Sequence, residues 1–222
     1  MTLVEPVPAA AAPVFGPCLA AAEQYAEFLR TAGVERGLIG PREPERLWTR
    51  HLLNCAAPAE LFPADARVVD VGSGAGLPGL VLAIARPDLR IDLVEPLARR
   101  VQFLTEAVSL LGLDGQVRVV RGRAEERQVI DMVGQSSWVT ARAVAPLDRL
   151  VGWCLPLLSL GGKIVALKGS QAESELVEHR QTVGKLGGIN PRVVQCGVGV
   201  VEPPVTVVVI ERGPAARRVK GK

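Results

Sequence analysis

Apolar residues recur along the chain in two patterns, one with the period of an α-helix and one in short continuous runs. In the first part of the chain the helical period dominates, and it predicts helices over residues 17–32 and 42–56. Residues 1–16 are rich in Ala and Pro and follow neither pattern, so we expect a flexible lead-in there.

Beyond residue 64, short apolar runs alternate with helical patterns. Strands are predicted at 67–71, 90–95, 116–121, 137–141, 163–167, 192–200 and 205–211. Helices are predicted between them at 77–85, 97–111, 147–158 and 172–186. This alternation is typical of an α/β fold with a doubly wound, Rossmann-like parallel sheet. The link between the last two strands is too short for a parallel crossover, so these strands should form an antiparallel hairpin.

These elements divide the chain into a flexible N-terminus (1–16), a helical segment (17–64), an α/β domain (65–212) and a basic tail (213–222). The tail is either a solvated terminus or an arm that contacts phosphates. Arg217 and Arg218 are the residues of the tail that we consider for RNA contact.

Composition and charge limit the kinds of core, partner and metal site that the chain can have. Hydrophobic residues make up 48% of the chain and aromatics only 4%, so aliphatic side chains must fill the core, as in buried parallel sheets. The net charge of +3 is too small to indicate a nucleic-acid partner by itself. Four scattered cysteines and two histidines predict free thiols, a cytoplasmic setting and no metal site. No run approaches the ~20 apolar residues of a membrane span.

The most informative stretch is a glycine-rich junction between the first predicted strand and the helix after it. It reads Asp70-Val71-Gly72-Ser73-Gly74-Ala75-Gly76-Leu77. Glycines permit a tight turn and close approach of a ligand, and free amides at the start of a helix favour an anion. Leu77 stands where the dinucleotide motif G-x-G-x-x-G has its third glycine. The turn therefore fits an amino-acid carboxylate, such as that of S-adenosylmethionine, better than a pyrophosphate.

A carboxylate follows at the spacing that a ribose-binding site requires. Glu95 lies about 23 residues after Gly72, at the end of the second predicted strand. In a Rossmann-like arrangement such a side chain accepts hydrogen bonds from both ribose hydroxyls. Nicotinamide dinucleotides and S-adenosylmethionine both carry this ribose, so Glu95 alone does not distinguish them. The glycine spacing disfavours a nicotinamide-dependent oxidoreductase.

Further motifs occur in order along residues 35–170, and together they carry a family resemblance. They are Gly40-Pro41-Arg42-Glu43, Arg50-His51-Leu52-Leu53-Asn54, Asp70 to Gly79, Arg86-Pro87, Glu95-Pro96, Arg99-Arg100, Thr140-Ala141-Arg142-Ala143, Gly162-Lys163 and Ala166-Leu167-Lys168-Gly169. The chain resembles the family of the small-subunit ribosomal RNA methyltransferase G, also called glucose-inhibited division protein B. It departs from the family at Ala141, where serine is frequent, so this position receives no role.

The resemblance implies a class I S-adenosylmethionine-dependent methyltransferase with seven strands and N-terminal helices. The implied reaction is methylation of guanine N7 in 16S ribosomal RNA near the decoding region, and its loss in the family is associated with low-level streptomycin resistance. By family position, Gly72, Leu77, Ala124, Glu125 and Arg142 should contact the cofactor. With the glycine turn and the spaced acid, the full cofactor set is Asp70, Gly72, Ser73, Gly74, Ala75, Gly76, Leu77, Glu95, Ala124, Glu125 and Arg142.

Cations at the ends of two predicted strands are candidates for positioning the substrate. Arg142 closes the fourth strand and Lys168 the fifth, at the edge where open α/β sheets bind ligands. Arg142 is placed to bind the cofactor carboxylate or the guanine O6. Lys168 is placed to bind an RNA phosphate. The alternative for each residue is a structural ion pair. His51 would face the RNA, shape the pocket mouth or serve only in helix packing. The RNA candidates are Arg50, Arg99, Arg100, Arg123, Lys168, Arg217 and Arg218.

The expected reaction needs no acid–base catalysis, which agrees with a sequence that has only two histidines. Guanine N7 presents a lone pair and has no proton to lose, so we expect no general base. The partner should be 16S ribosomal RNA or the small ribosomal subunit. Two alternatives stay open, a methyltransferase of another substrate and a non-catalytic RNA-binding assembly factor.

Overall fold

Seven strands form one sheet in the computed structural model, which describes residues 4–214. The strands are β1 (Arg67–Val71), β2 (Arg90–Glu95), β3 (Val117–Arg121), β4 (Ser136–Arg142), β5 (Leu158–Leu167), β6 (Gly188–Cys196) and β7 (Val205–Arg212). Their order is β3-β2-β1-β4-β5-β7-β6, with β1 to β5 parallel and β7 antiparallel to both β5 and β6. This confirms the Rossmann-like α/β sheet with an antiparallel last hairpin.

Helices cover both faces of this sheet. They are α1 (Ala11–Phe15), α2 (Leu19–Phe28), α3 (Asn54–Ala56), α4 (Gly79–Ala85), α5 (Ala98–Leu110), α6 (Arg127–Val133), α7 (Leu147–Cys154) and α8 (Ala172–Lys185). Tighter 3₁₀ turns lie at Gly16–Cys18, Glu43–Arg46, Ala57–Leu61 and Leu155–Leu157, and wider π-helical turns at Leu29–Gly33 and Trp48–Leu53. Among residues 4–214, no helix has the length and apolar content needed to cross a membrane.

The beginning of the chain differs from the flexible lead-in that its composition indicates. Ala11 and Phe15, at the two ends of α1, are buried. The Phe15 ring packs edge-on against Trp48, with 6.2 Å between the ring centroids. The carboxylate of Glu5 accepts a hydrogen bond of 2.7 Å from the Trp48 amide. The prediction of flexibility is therefore wrong for residues 11–15, because these tertiary contacts order a segment with little periodicity of its own.

Two further helical predictions need correction. The continuous helix expected over 42–56 is divided into a 3₁₀ turn at Glu43–Arg46, a π-helical turn at Trp48–Leu53 and α3. No helix was expected between the third and fourth strands, where the structure has α6. Only Val129 and Val133 of this helix are buried, and seven residues are too few to show a recognisable helical period.

The core consists of two apolar clusters, one on each face of the sheet. Val68 of β1 belongs to the cluster that contains the N-terminal helices, α4 and α5. Its neighbours Val69 and Val71 belong to the cluster that contains α6, α7 and α8. This alternation is that of a strand covered on both sides. The N-terminal helical segment therefore packs on the same face of the sheet as α4, next to the turn that connects β1 to that helix.

Candidate active site

The glycine-rich turn leaves the carboxyl end of β1 as an open cradle. Gly72 and Gly74 have φ values of 69° and 60°, a left-handed conformation that glycine adopts without strain. A Cβ at Gly72 would lie 2.9 Å from a methyl group of Val144. A Cβ at Gly74 would instead project into open space, with its nearest neighbour, the Gly72 carbonyl oxygen, 3.8 Å away. The turn thus has free room on the side of Gly74.

The buried side chain of Asp70 stabilises this turn from inside the protein. Its buried carboxylate accepts a hydrogen bond of 3.0 Å from the amide of Gly79, the first residue of α4. The other carboxylate oxygen has no hydrogen-bond partner among residues 4–214. Burial raises the pKa of Asp70 to about 7. Asp70 and Gly76, both predicted to bind the cofactor, line neither of the two cavities described next.

A cavity of about 330 Å³ lies at the carboxyl ends of β1, β2 and β3. Glu95 is buried at its wall, and its two carboxylate oxygens accept hydrogen bonds of 3.0 Å from the amides of Gly74 and Leu97. Of the predicted cofactor residues, the cavity is lined by Gly72, Glu95, Ala124 and Glu125. Its volume lies within the range that suits a small ligand.

A second cavity, of about 350 Å³, adjoins the first and forms its mouth. The two cavities share Gly72, Arg100 and Ala143 in their walls. Predicted residues that line the mouth are Ser73, Gly74, Ala75, Leu77, Arg142, His51 and Arg50. The structure therefore brings residues of the N-terminal segment and the glycine-rich turn around one opening.

Arg142, at the end of β4, is held by a chain of hydrogen bonds from the N-terminal segment. Its Nη2 lies 2.7 Å from Nδ1 of His51, and Nε2 of His51 lies 2.5 Å from the carboxylate of Glu43. A guanidinium can only donate hydrogen bonds, so Nδ1 accepts and Nε2 carries the imidazole proton. Burial and the charge of Arg142 lower the pKa of His51, although Glu43 opposes this effect. His51 is therefore a neutral imidazole with both nitrogens engaged.

The same guanidinium also contacts a thiol. Nη1 of Arg142 donates a hydrogen bond of 2.8 Å to Sγ of Cys55. Cys55 is fully buried, and burial raises the pKa of its thiol despite the neighbouring positive charge. A buried thiol with a raised pKa is a poor nucleophile.

Lys168 lies at the end of β5, as predicted, but its ammonium is already bonded. It donates hydrogen bonds of 2.8 Å to the carboxylate of Glu175 on α8 and 3.1 Å to the carbonyl of Ala145. Lys168 lines neither cavity, and only 14% of its side chain is exposed. This geometry corresponds to the structural ion pair considered for Lys168, which connects the end of β5 to α8, and the bond to Ala145 connects it to the loop after β4.

The other RNA candidates occupy different positions. Arg50, Arg99 and Arg123 have exposed side chains, and Arg100 is half-buried with Nη1 3.7 Å from the Glu95 carboxylate. Arg217 and Arg218 lie outside the described residues. Arg50, Arg100 and Arg123 line a cavity. Arg99 lies on the exposed surface of α5 and lines neither cavity.

Three residues at the site are not identified by sequence reasoning. The buried hydroxyl of Tyr25 on α2 donates a hydrogen bond of 2.5 Å to the carbonyl of Ala75 in the turn. Trp153 of α7 lines the first cavity. Ala143 lies between the two cavities with a φ of 53°, which is uncommon for a residue other than glycine. Nothing in the sequence indicates that the helices carrying Tyr25 and Trp153 reach this edge of the sheet.

These features fit S-adenosylmethionine. The first cavity combines a buried carboxylate with apolar walls from Leu97, Val144 and Trp153, as a nucleoside requires. Gly72, Arg100 and Ala143 line both cavities and so connect this one to the mouth, where the positive charge of Arg142 suits an amino-acid carboxylate. The described residues contain no cluster of three or more potential metal ligands.

Comparisons with known proteins extend this assignment. A family model described as rRNA small subunit methyltransferase G matches residues 18–202. The chain is 62% identical over 208 residues to the ribosomal RNA small subunit methyltransferase G of Salinispora arenicola, with 91% of this chain and 85% of that protein covered. It is 54% identical over 211 residues to the protein of the same name in Mycobacterium marinum, with 95% and 92% covered.

A solved structure supports the fold independently. The S-adenosylmethionine-dependent O-methyltransferase of Thermotoga maritima superimposes with a TM-score of 0.56 at 14% sequence identity, over 75% of this chain and 67% of that one. The family match confirms the resemblance carried by the motifs, with methyl transfer as the reaction and S-adenosylmethionine as the cofactor. The chain belongs to the rRNA small subunit methyltransferase G family.

Proposed function

We propose that this enzyme transfers a methyl group from S-adenosylmethionine to N7 of a guanine in 16S ribosomal RNA, near the decoding region. The names of the relatives specify ribosomal RNA of the small subunit, and the family resemblance supplies the guanine and its N7. A ribosomal substrate also implies a cytoplasmic enzyme. The observation on this chain that supports N7 is that the acid–base side chains at the mouth are already engaged.

No side chain in the described part of the mouth is available as a general base. His51 accepts from Arg142 through one ring nitrogen and donates to Glu43 through the other. Glu43, the carboxylate that lines the mouth, accepts from His51 and Arg46. Such a site suits a nucleophile that reacts without losing a proton. Guanine N7 is such an atom, whereas an exocyclic amine or a ribose hydroxyl must be deprotonated.

The bound cofactor supplies a methyl group activated on a sulfonium. The protein then has to hold the nucleophile about 3 Å from the methyl carbon, in line with the bond that breaks. Because no proton is transferred, positioning and charge placement account for catalysis. The adjoining cavities suit this task, since one accommodates a nucleoside and the other opens to a large substrate.

The residues of the first cavity have separable roles. The Glu95 carboxylate, with two of its lone pairs used by amides, retains lone pairs for the ribose hydroxyls. Leu97 and Trp153 provide apolar walls for the adenine, next to Ala124 and Glu125. At the mouth, the Gly74 cradle and the Arg142 guanidinium hold the amino-acid end of the cofactor. Asp70 and Gly76 act indirectly, by maintaining the conformation of the turn.

The RNA is contacted by cations around the mouth. Arg50, Arg99 and Arg123 are exposed and suited to phosphates, which position a nucleic acid without reading its sequence. Arg100 reaches both cavities and lies closest to the cofactor site. Lys168, whose ammonium is paired with Glu175, shapes the loop after β4 and does not contact RNA directly.

Methylation mapping tests the proposal. Small subunits and deproteinised 16S RNA from a strain that lacks the gene are incubated with the enzyme and labelled S-adenosylmethionine. We expect label in 16S RNA and a single site of 7-methylguanine, located by borohydride reduction, aniline cleavage and primer extension. The two substrates distinguish naked RNA from the assembled subunit. Label on another atom, or no label in either substrate, would contradict the proposal.

A further inference from the structure

The hydrogen-bond chain at the mouth has a defined direction that begins at Glu43. Glu43 lies in the 3₁₀ turn Glu43–Arg46, and only 17% of its side chain is exposed. Its carboxylate accepts from Nε2 of His51 at 2.5 Å, which requires the imidazole proton to be on Nε2. Nδ1 is then free of a proton and accepts from Arg142 at 2.7 Å. Glu43 and Arg142 therefore favour the same tautomer of His51, the one in which Nδ1 accepts from Arg142.

Glu43 is itself held as a carboxylate. Arg46 donates a hydrogen bond to it at 2.6 Å, and Nε of Arg50 lies 3.5 Å from its other oxygen. Burial favours the neutral acid, but the hydrogen bonds from Arg46 and His51 outweigh burial and lower the pKa of Glu43 to about 2. At neutral pH the carboxylate is thus a permanent acceptor for His51.

Without that acceptor, the Nε2–H tautomer of His51 would lose the hydrogen bond that stabilises it, and the Nδ1–H tautomer would become more populated. In the Nδ1–H form, a ring N–H would point at the Arg142 guanidinium, and two donors would face each other. Arg142 would then lose one of its fixed bonds and retain those to Cys55 and to the carbonyl of Arg50, which is 3.4 Å away. Its guanidinium would be less well oriented at the mouth.

From this geometry we infer that Glu43 is a positioning residue, which keeps His51 in the Nε2–H tautomer so that His51 orients Arg142 toward the amino-acid end of the cofactor. The inference rests on the role proposed above for Arg142 in holding that end. It assigns a function to the glutamate that closes the Gly40-Pro41-Arg42-Glu43 motif. It also explains why a buried histidine at the mouth of a methyltransferase need not exchange protons.

Nitrogen NMR measures the tautomer directly. The chain has two histidines, so side-chain ¹⁵N spectra contain one signal set from His51 and one from His179 on α8. In the unchanged protein we expect His51 to show a protonated Nε2 and an unprotonated Nδ1. In Glu43→Ala the two nitrogen shifts of His51 should move toward each other as the tautomers mix. His179 should not change and serves as the internal reference.

Ligand binding tests whether the tautomer matters for Arg142. S-adenosylhomocysteine carries the amino-acid carboxylate, whereas 5′-methylthioadenosine has the same nucleoside without it. Glu43→Ala should raise the dissociation constant of S-adenosylhomocysteine about tenfold, since an interaction with a charged partner is weakened. The dissociation constant of methylthioadenosine should stay within about twofold. Glu45→Ala, an exposed position in the same turn, is the matched control and should affect neither ligand.

A double-mutant cycle separates action through Arg142 from a general structural effect. In an Arg142→Met background, Glu43→Ala should change S-adenosylhomocysteine binding by less than about twofold. Additive effects, equal weakening of both ligands or an unchanged His51 tautomer would each overturn the inference. If Glu43→Ala fails to fold, Glu43→Gln replaces it, because glutamine keeps a neutral acceptor. Glu43→Gln should show the same changes at smaller size, and their absence would overturn the inference equally. None of these measurements involves RNA, so they remain decisive even if methylation maps to another nucleotide.

Discussion

Several side chains of the candidate site are held in place by hydrogen bonds within the protein itself. Glu95 illustrates this, because two backbone amides fix both of its oxygens at the wall of the first cavity. Preorganised groups lose little conformational entropy when they bind. Sequence spacing predicted Glu95 and the glycines correctly in position. It could not reveal Tyr25 and Trp153, because their contribution depends on how helices distant in the sequence pack against the turn.

Replacement of Glu95 should mainly reduce cofactor affinity. Glu95→Gln removes the negative charge that we propose binds the ribose hydroxyls, and the new amide group opposes one of the two backbone amides. We expect the dissociation constant of S-adenosylhomocysteine, measured by calorimetry, to rise about 10- to 100-fold. Unfolding should become easier by about 1 kcal/mol. Glu178→Gln on the exposed surface of α8 is the control, and equal affinities for the two variants would contradict this role.

Asp70 should make stability depend on pH in the direction opposite to most carboxylates. Its pKa in the folded protein is raised from 3.8 to about 7, so the folded state binds the proton more tightly than the unfolded state. The free energy of unfolding therefore loses a contribution from this group as the pH rises from about 4 to about 7. Asp70→Asn cannot ionise and should escape this loss.

Urea unfolding at pH 5 and pH 8 measures the effect. Relative to the unchanged protein, Asp70→Asn should gain about 2–3 kcal/mol between the two pH values. Asp114→Asn makes the same chemical change at an exposed position and should show no such gain. A pH-independent difference between Asp70→Asn and the unchanged protein would show that Asp70 does not titrate in this range.

At the scale of elements, the glycine-rich turn is the junction on which the site depends. Its sequence pattern predicted a strand, a turn and a helix, and β1 and α4 confirm the order. The strand boundaries at Arg67–Val71 and Arg90–Glu95 agree with prediction because buried parallel strands have continuous apolar runs. The N-terminal segment was less predictable, since its 3₁₀ and π-helical turns change the helical period within a few residues.

Two neighbouring glycines of the turn should respond differently to the same substitution. A methyl group at Gly74 would enter the open cradle, at a conformational cost of about 1–2 kcal/mol for the left-handed backbone. A methyl group at Gly76 would instead collide with Leu80 and lie 2.8 Å from the Tyr25 hydroxyl. Gly74→Ala should therefore stay folded but lose most S-adenosylhomocysteine affinity. Gly76→Ala should lose about 3 kcal/mol or more of stability.

Thermal unfolding and calorimetry on the two variants distinguish these outcomes. If Gly74→Ala bound S-adenosylhomocysteine as well as the unchanged protein, the space beside Gly74 would not hold the cofactor. If Gly76→Ala unfolded at the temperature of the unchanged protein, the packing of Tyr25 on the turn would be less important than its geometry indicates.

At the scale of the whole molecule, exposed cations lie around the edge of the sheet where we propose that RNA binds. The net charge of +3 does not reveal this arrangement, because basic and acidic residues nearly balance over the chain. Arg99 and Arg123 are exposed near the cofactor edge, whereas Arg90 begins β2 at the opposite edge. Prediction of an RNA footprint from composition alone therefore fails, and the fold is needed to show which cations face the same way.

The salt dependence of RNA binding tests this arrangement. The double variant Arg99→Ala with Arg123→Ala should bind 16S RNA more weakly, and the slope of log affinity against log salt concentration should become shallower by about 1–2. Arg90→Ala should leave both the affinity and the slope unchanged. If Arg90→Ala weakened RNA binding as much as the double variant, the whole surface of the protein would attract RNA non-specifically.

The insertion of β7 between β5 and β6 determines where the described chain leaves the domain. Because β7 is antiparallel to β5, it ends beside the middle of that strand, where Glu211 pairs with Lys163. The end of β7 is therefore on the far side of the sheet from the opening where we propose that RNA binds. RNA that contacted both the opening and the end of β7 would have to wrap around the protein.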